Sequence, residues 1–216
     1  MPTHSKILER IALGENQQQD FKFEISDAKK IARSFAAFAN TDGGSLLLGV
    51  KDNGSIVGVK TDEEVYMAEA AAKMFCRPEA KFSLKEWRVN GKIIVEVIIP
   101  KATVRPVKAV APNGKWLTYV RVNDQNILAD KVLIDVWHDM DTGKQVTLNY
   151  TETEAVALKF LATHKAITLN VLRSLCDLSR IKAQRLLADF VLLGIIEIEI
   201  TEKGTIYRYN YNEDND

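Results

Sequence analysis

Between Thr151 and residue 211 the apolar residues change period once, from helical spacing to strand alternation, and this limits the fold more than any other feature. Thr151 and Glu154 form the S/T-x-x-E signature of a helix start, after which Ala155, Leu158, Leu161 and Ala162 stripe one face. A second helix is predicted over residues 167–175 and a third over 179–193, whose Leu186, Leu187, Phe190, Val191 and Leu193 face inward. Gly194 stops the third helix as a left-handed residue past its C-terminus. Residues 195–200, the turn Glu202-Lys203-Gly204 and residues 205–211 then close as a β-hairpin. Three helices and a terminal hairpin are the pattern of a small winged-helix (helix-turn-helix) domain, placed at 151–212, with a frayed polar tail at 213–216.

Upstream, across a linker at 142–150, strands and helices alternate. A short helix over 5–12 and a strand over 19–23 precede a helix over 26–39, with Ser26 as its N-cap and Ala28, Ile31, Ala32, Phe35, Ala36 and Ala39 at helical spacing. Asp42-Gly43-Gly44 leads into a buried strand over 45–50, and Asp52-Asn53-Gly54-Ser55 predicts a hairpin returning through Ile56 and Val57. Thr61 and Glu64 read as a capping box for a helix reaching residue 75. Asn90-Gly91 joins strands over 82–89 and 92–99. Strands near 107–111 and 117–122 and a helix over 129–138 complete an α+β domain with a mixed sheet, residues 1–141. The loop 100–106 holds Arg105 at the sheet edge.

Twenty-nine basic residues balance 29 acidic ones, so attraction to a polyanion must come from local patches. No apolar run approaches the roughly 20 residues of a membrane span, and the first ten residues lack the apolar centre of a secretion signal, so a cytoplasmic protein without a membrane partner is expected. Cys76 and Cys176 lie in helix-like apolar surroundings and suit reduced thiols, and His4, His138 and His164 stand apart at no metal-ligand spacing.

Two constellations could carry chemistry. The third helix of the C-terminal domain would enter a DNA major groove with Arg180, Lys182, Gln184 and Arg185, helped by Lys203 in the wing. Residues 151–216 carry eight basic and ten acidic side chains, so affinity would rest on that helix; a winged helix used for protein contact is the open alternative. On the strand over 19–23, alternation sends Phe21 and Phe23 to the core and Asp20, Lys22 and Glu24 to the other face. An acid and a lysine two apart on an exposed strand can hold a divalent cation and neutralise a developing phosphate charge. Glu15 as a helix-loop terminus and Asp52 as the first residue of an Asx turn are the competing structural explanations.

The segments E-N-Q-Q-Q-D-F-K at 15–22, F-A-A-F-A-N-T-D-G-G-S-L-L-L-G-V-K-D-N-G-S-I-V-G-V at 35–59 and T-Y-V-R-V-N-D-Q-N-I-L-A at 118–129 together resemble the Schlafen-type AlbA domain, over about residues 8–140. The resemblance implies an AlbA-type domain joined to a helix-turn-helix, as in bacterial members described as transcriptional regulators or ATP-binding proteins. Some eukaryotic relatives cleave structured RNA with three carboxylates. By motif these fall on Glu15, Asp20 and Asp52, with Lys22 beside them and Mg or Mn as the metal; Asp20 is one methylene shorter than the family's glutamate. Arg105 and Arg121 are its candidate phosphate contacts. The chain has no G-x4-G-K-[ST], so ATP finds no P-loop. Relatives pair two such modules, so the single copy here implies a homodimer. The expectation is a nucleic-acid-binding protein, foremost a DNA-binding transcriptional regulator; a metal-dependent endoribonuclease and a non-catalytic protein-interaction module are the rivals.

Overall fold

The computed structural model describes residues 2–59 and 62–210, and the chain divides into two compact units, residues 1–128 and 129–216. In the first, α1 (Pro2–Ala12), β1 (Gln19–Lys22), α2 (Ala28–Asn40), β2 (Gly44–Leu48), α3 (Glu63–Met74), β3 (Cys76–Arg77), β4 (Ser83–Val89), β5 (Lys92–Ile99), β6 (Lys108–Val110), β7 (Trp116–Val122) and β8 (Gln125–Leu128) build two four-stranded sheets. The first sheet, ordered β1-β2-β5-β4, is mixed, because β1 runs parallel to β2 while β2, β5 and β4 pair antiparallel. The second, β3-β6-β7-β8, is antiparallel throughout.

The apolar stripe of α2 explains the layering. Ile31, Phe35, Phe38 and Ala39 are buried with Leu46, Leu48, Val97 and Ile99 of the first sheet and with Ala109 and Tyr119 of the second. The other face of the first sheet buries Phe21, Leu47, Trp87 and Ile94 with Ile7 and Ile11 of α1. Asn40 at the end of α2 locks the second sheet: Val107 N–H donates to its Oδ1 at 2.8 Å, and its Nδ2 donates to the carbonyls of Val107 at 2.7 Å and Tyr119 at 2.8 Å. Where the chain turns from α2 into β2, a Cβ on Gly44 would stand 2.4 Å from the Phe38 ring, so the close crossing requires glycine.

Local signals match the structure unevenly. Asn90 and Gly91 both adopt positive φ, 50° and 75°, as a two-residue hairpin turn requires. The N-cap of α2 is Asp27, accepting from Lys29 N–H, one residue after the expected Ser26. The hairpin expected from Asp52 shrinks to one bridge between Val50 and Ile56: the Gly49 carbonyl takes the N–H groups of both Val57 and Gly58, which leaves no ladder to extend. Thr61 of the expected capping box lies outside the described residues; α3 starts after Asp62, which makes no side-chain cap.

In the second unit, α4 (Lys131–Asp141), α5 (Glu152–His164), β9 (Ala166–Ile167), α6 (Leu169–Leu175), α7 (Arg180–Leu192), β10 (Ile196–Thr201) and β11 (Gly204–Tyr209) enclose a core of Ala157, Leu161, Leu172, Leu187, Phe190 and Tyr207. The capping box of Thr151 and Glu154 opens α5. The sheet runs β10-β11-β9, so a two-residue strand too short to show in the sequence ties the connection between α5 and α6 to the hairpin. The helix assigned from sequence to the end of the first domain is α4, and it packs Val132 and Val136 into this second core. The polar tail lies outside the described residues. Among the described residues no helix is long and apolar enough to cross a membrane.

Candidate functional site

The first constellation assembles around Asp20. Both faces of β1 are covered, so strand alternation does not send this carboxylate to water: Asp20 is 4% exposed and looks away from Phe21, which is fully buried. Its Oδ1 stands 3.0 Å from Lys22 Nζ and 3.8 Å from Arg121 Nη2, and its Oδ2 accepts from Ser34 Oγ at 3.3 Å. Glu15 folds back from the loop before β1, accepts the Phe21 N–H at 2.8 Å and lies 3.9 Å from Lys22 Nζ. Arg121 on β7 extends the cluster with hydrogen bonds to the carbonyls of Asn16 and Gln19 and to Asn126 Oδ1, and Asn126 donates to Ser34 Oγ at 2.9 Å.

Electrostatics divide the two acids. Burial, then the hydrogen bond with Asp20, raises Glu15 from 4.5 to about 7. Burial alone would raise Asp20 too, but the hydrogen bond from Glu15 and the charges of Lys22 and Arg121 outweigh it and hold Asp20 below its ordinary value. As pH falls below about 7, Glu15 takes up a proton while Asp20 stays ionised beside Lys22 and Arg121.

Asp52, expected as the third carboxylate, is exposed on the turn after β2, and among the described residues no three acidic, histidine or cysteine side chains gather to hold a metal. The cluster joins β1, α2, β7 and β8 as a buried charge lock. Arg121, expected to meet phosphate, has a side chain only 1% exposed and spent on these internal partners. Arg105 is half-buried in the loop after β5.

The second constellation stands at the start of α7. The Ser179 hydroxyl accepts the Lys182 N–H as N-cap, and Arg180, Ile181 and Lys182 are exposed on the first turn, with Gln184 half-buried behind them. Ile181 is 79% exposed, unusual for so apolar a side chain. Arg185 departs from the expectation: its Nε donates to Asp189 Oδ1 at 2.8 Å and its Nη1 to Asp139 on α4. Burial would raise Asp139, but the bond from Arg185 wins and holds it below the carboxylate range. Counting charges along one helix missed this, because Asp139 comes from another. Lys203 is exposed on the turn between β10 and β11.

Sequence reasoning passed over Arg77, Lys108 and Trp116, which only the register of β3, β6 and β7 brings onto one face.

Residues 15–130 match the model of the family described as Schlafen, AlbA_2. A crystal structure of the DIP2311 protein from Corynebacterium diphtheriae is 19% identical, with a TM-score of 0.49 over 96% of this chain and 38% of that one. The N-terminal domain of a protein from Nitrosomonas europaea, named as related to the DNA helicase RecG, is 24% identical, with a TM-score of 0.41 over 61% of this chain and 97% of that domain. The chain therefore spans 38% of the length of the Corynebacterium protein. No curated protein matches it in sequence.

Proposed function

Since the chain belongs to the Schlafen, AlbA_2 family through residues 15–130, we propose that it is a nucleic-acid-binding protein, and specifically a DNA-binding regulator that docks α7 in the major groove. The observation carrying this reading is the first turn of α7, where Arg180 and Lys182 are exposed on an N-capped helix with no acid among residues 179–185. A helix start offers unpaired N–H groups and a positive dipole end to phosphate, and exposed basic side chains there add to it. The order helix, strand, helix, helix, hairpin in residues 152–209 supports a winged-helix reading, with Lys203 on the wing. Arg180 and Lys182 are the phosphate contacts, Gln184 and Ile181 face base edges, and Arg185 holds the helix in place. A homodimer would set two such helices on half-sites one turn of DNA apart. The cytoplasm is where such a regulator works.

The ribonuclease reading loses support because, among the described residues, no third acid joins Glu15 and Asp20, and one experiment separates it from DNA binding. The purified chain is incubated with labelled duplex DNA and with tRNA, in manganese or in chelator. Salt-sensitive duplex binding that disappears in Arg180→Ala/Lys182→Ala, with both nucleic acids intact, is the expected result. Metal-dependent cleavage of tRNA that disappears in Asp20→Ala would overturn it, and a duplex affinity unchanged by the α7 variant would refute the docking helix.

A further inference from the structure

On the second sheet of the first unit, Arg77 of β3 stands directly opposite Lys108 of β6, and both are exposed. Like charges facing each other across two strands are destabilising unless an anion is shared between them. Among the described residues no acid pairs with Arg77 or Lys108. The Arg77 side chain crosses β6 instead, and its Cζ lies 4.2 Å from the centre of the Trp116 ring on β7. Register accounts for this: Trp116 opposes Val110, which is two residues beyond Lys108 and so on the same face. The result is a half-buried indole capped by a guanidinium, with Lys108 on the same face and no acid paired to either cation.

We propose that this face is a second nucleic-acid site, one that takes a single strand: an unstacked base lies on the Arg77–Trp116 platform while Lys108 meets the phosphate beside it. Base faces in a duplex are buried in the stack, so a guanidinium-on-indole platform can be used only by a base that has left it. The charge complementarity decides for a polyanion, and the aromatic platform decides for a nucleic acid over an acidic peptide. The site deepens the nucleic-acid reading but does not depend on α7, and it lies in the unit that matches the family.

The test uses the full chain and an oligo(dT) of about 12 nucleotides, within the range one such surface holds, followed by fluorescence anisotropy and by tryptophan quenching. Trp87 and Trp137 are 5% and 7% exposed, so quenching reports Trp116. Expected are saturable quenching in the wild type, quenching lost but affinity kept in Trp116→Phe, and affinity roughly five- to a hundredfold weaker in Arg77→Ala. Lys108→Ala should lower the slope of log affinity on log salt by about 0.7. Lys108→Glu, at an exposed position that folding does not need, decides the matter if Arg77→Ala fails to fold. The proposal is overturned if oligo(dT) does not bind at low salt, if Lys108→Glu binds like the wild type, or if polyglutamate competes as well as oligo(dT). Arg180→Ala/Lys182→Ala should lose duplex and keep oligo(dT); loss of both together would also overturn the separate site, whereas retention of both would refute α7 alone.

Discussion

Glu15→Gln turns the charge lock into a measurable pH dependence. Glu15 is raised from 4.5 to about 7, so between those values the native state holds a proton that the unfolded chain releases. A carboxyl raised in this way contributes stability in full below its unfolded value and loses it as pH climbs through the folded one. The lift is equivalent to ~3 kcal/mol at full strength. The Glu15 side chain is 23% exposed and its neighbour Lys22 33%, so screening by solvent reduces the effect to about 1–2 kcal/mol. Glutamine keeps the geometry, since its amide can donate to Asp20 and its carbonyl can accept the Phe21 N–H, but it does not titrate. Asp20 is shifted the other way, and the stability it contributes is lost only as pH falls through its depressed folded value, outside the window of interest. Urea unfolding at pH 5, 6, 7 and 8 should therefore show the wild type losing about 1–2 kcal/mol relative to Glu15→Gln across that range. Groups common to both proteins cancel in the difference. Parallel curves, or a variant less stable than the wild type at pH 8, would refute the proton on Glu15.

Three further substitutions probe the fold and the assignment of Arg185. Asn40→Ala strands the Val107 N–H and two carbonyls in a buried site and should cost about 3 kcal/mol in urea; a loss below about 1 kcal/mol contradicts its bridging role. Gly44→Ala drives a Cβ to 2.4 Å from Phe38 and should cost about 1–3 kcal/mol by thermal melting, where an unchanged melting temperature would show that the turn can relax. Arg185→Ala leaves Asp139, 5% exposed, without its main partner and should destabilise the protein by about 2 kcal/mol while duplex affinity, read well below the melting temperature, stays at the wild-type level. An affinity loss as large as that of Arg180→Ala would return Arg185 to the interface.

Local signals carried most of the fold because they need no partner. The stripe on α2, the Asn90-Gly91 turn and the Thr151–Glu154 box are each decided within a few residues, and each stands where the spacing put it, within a residue or two. What escaped depends on chain segments far apart. Strands β3 and β9 have two residues each and exist only through β6 and β11, so no periodicity could announce them. Alternation sends Asp20 to a wet face because it assumes that one side of a strand is open, whereas Arg121, about a hundred residues later, covers it. Arg185 looks free in the sequence for the same reason, its partner Asp139 being on another helix. The Arg77–Trp116 platform follows from register across three strands, which a single sequence does not display.

Hydrogen exchange on the full chain, with and without saturating duplex DNA, tests the docking of α7 most directly. The N–H groups of Arg180 and Ile181 have no intrahelical acceptor and should exchange fast in the free protein. A phosphate held at the helix start should slow the segment 179–185, and added salt should release it. Exchange in that segment unchanged by duplex, while DNA is demonstrably bound, would contradict the groove-entering role of α7.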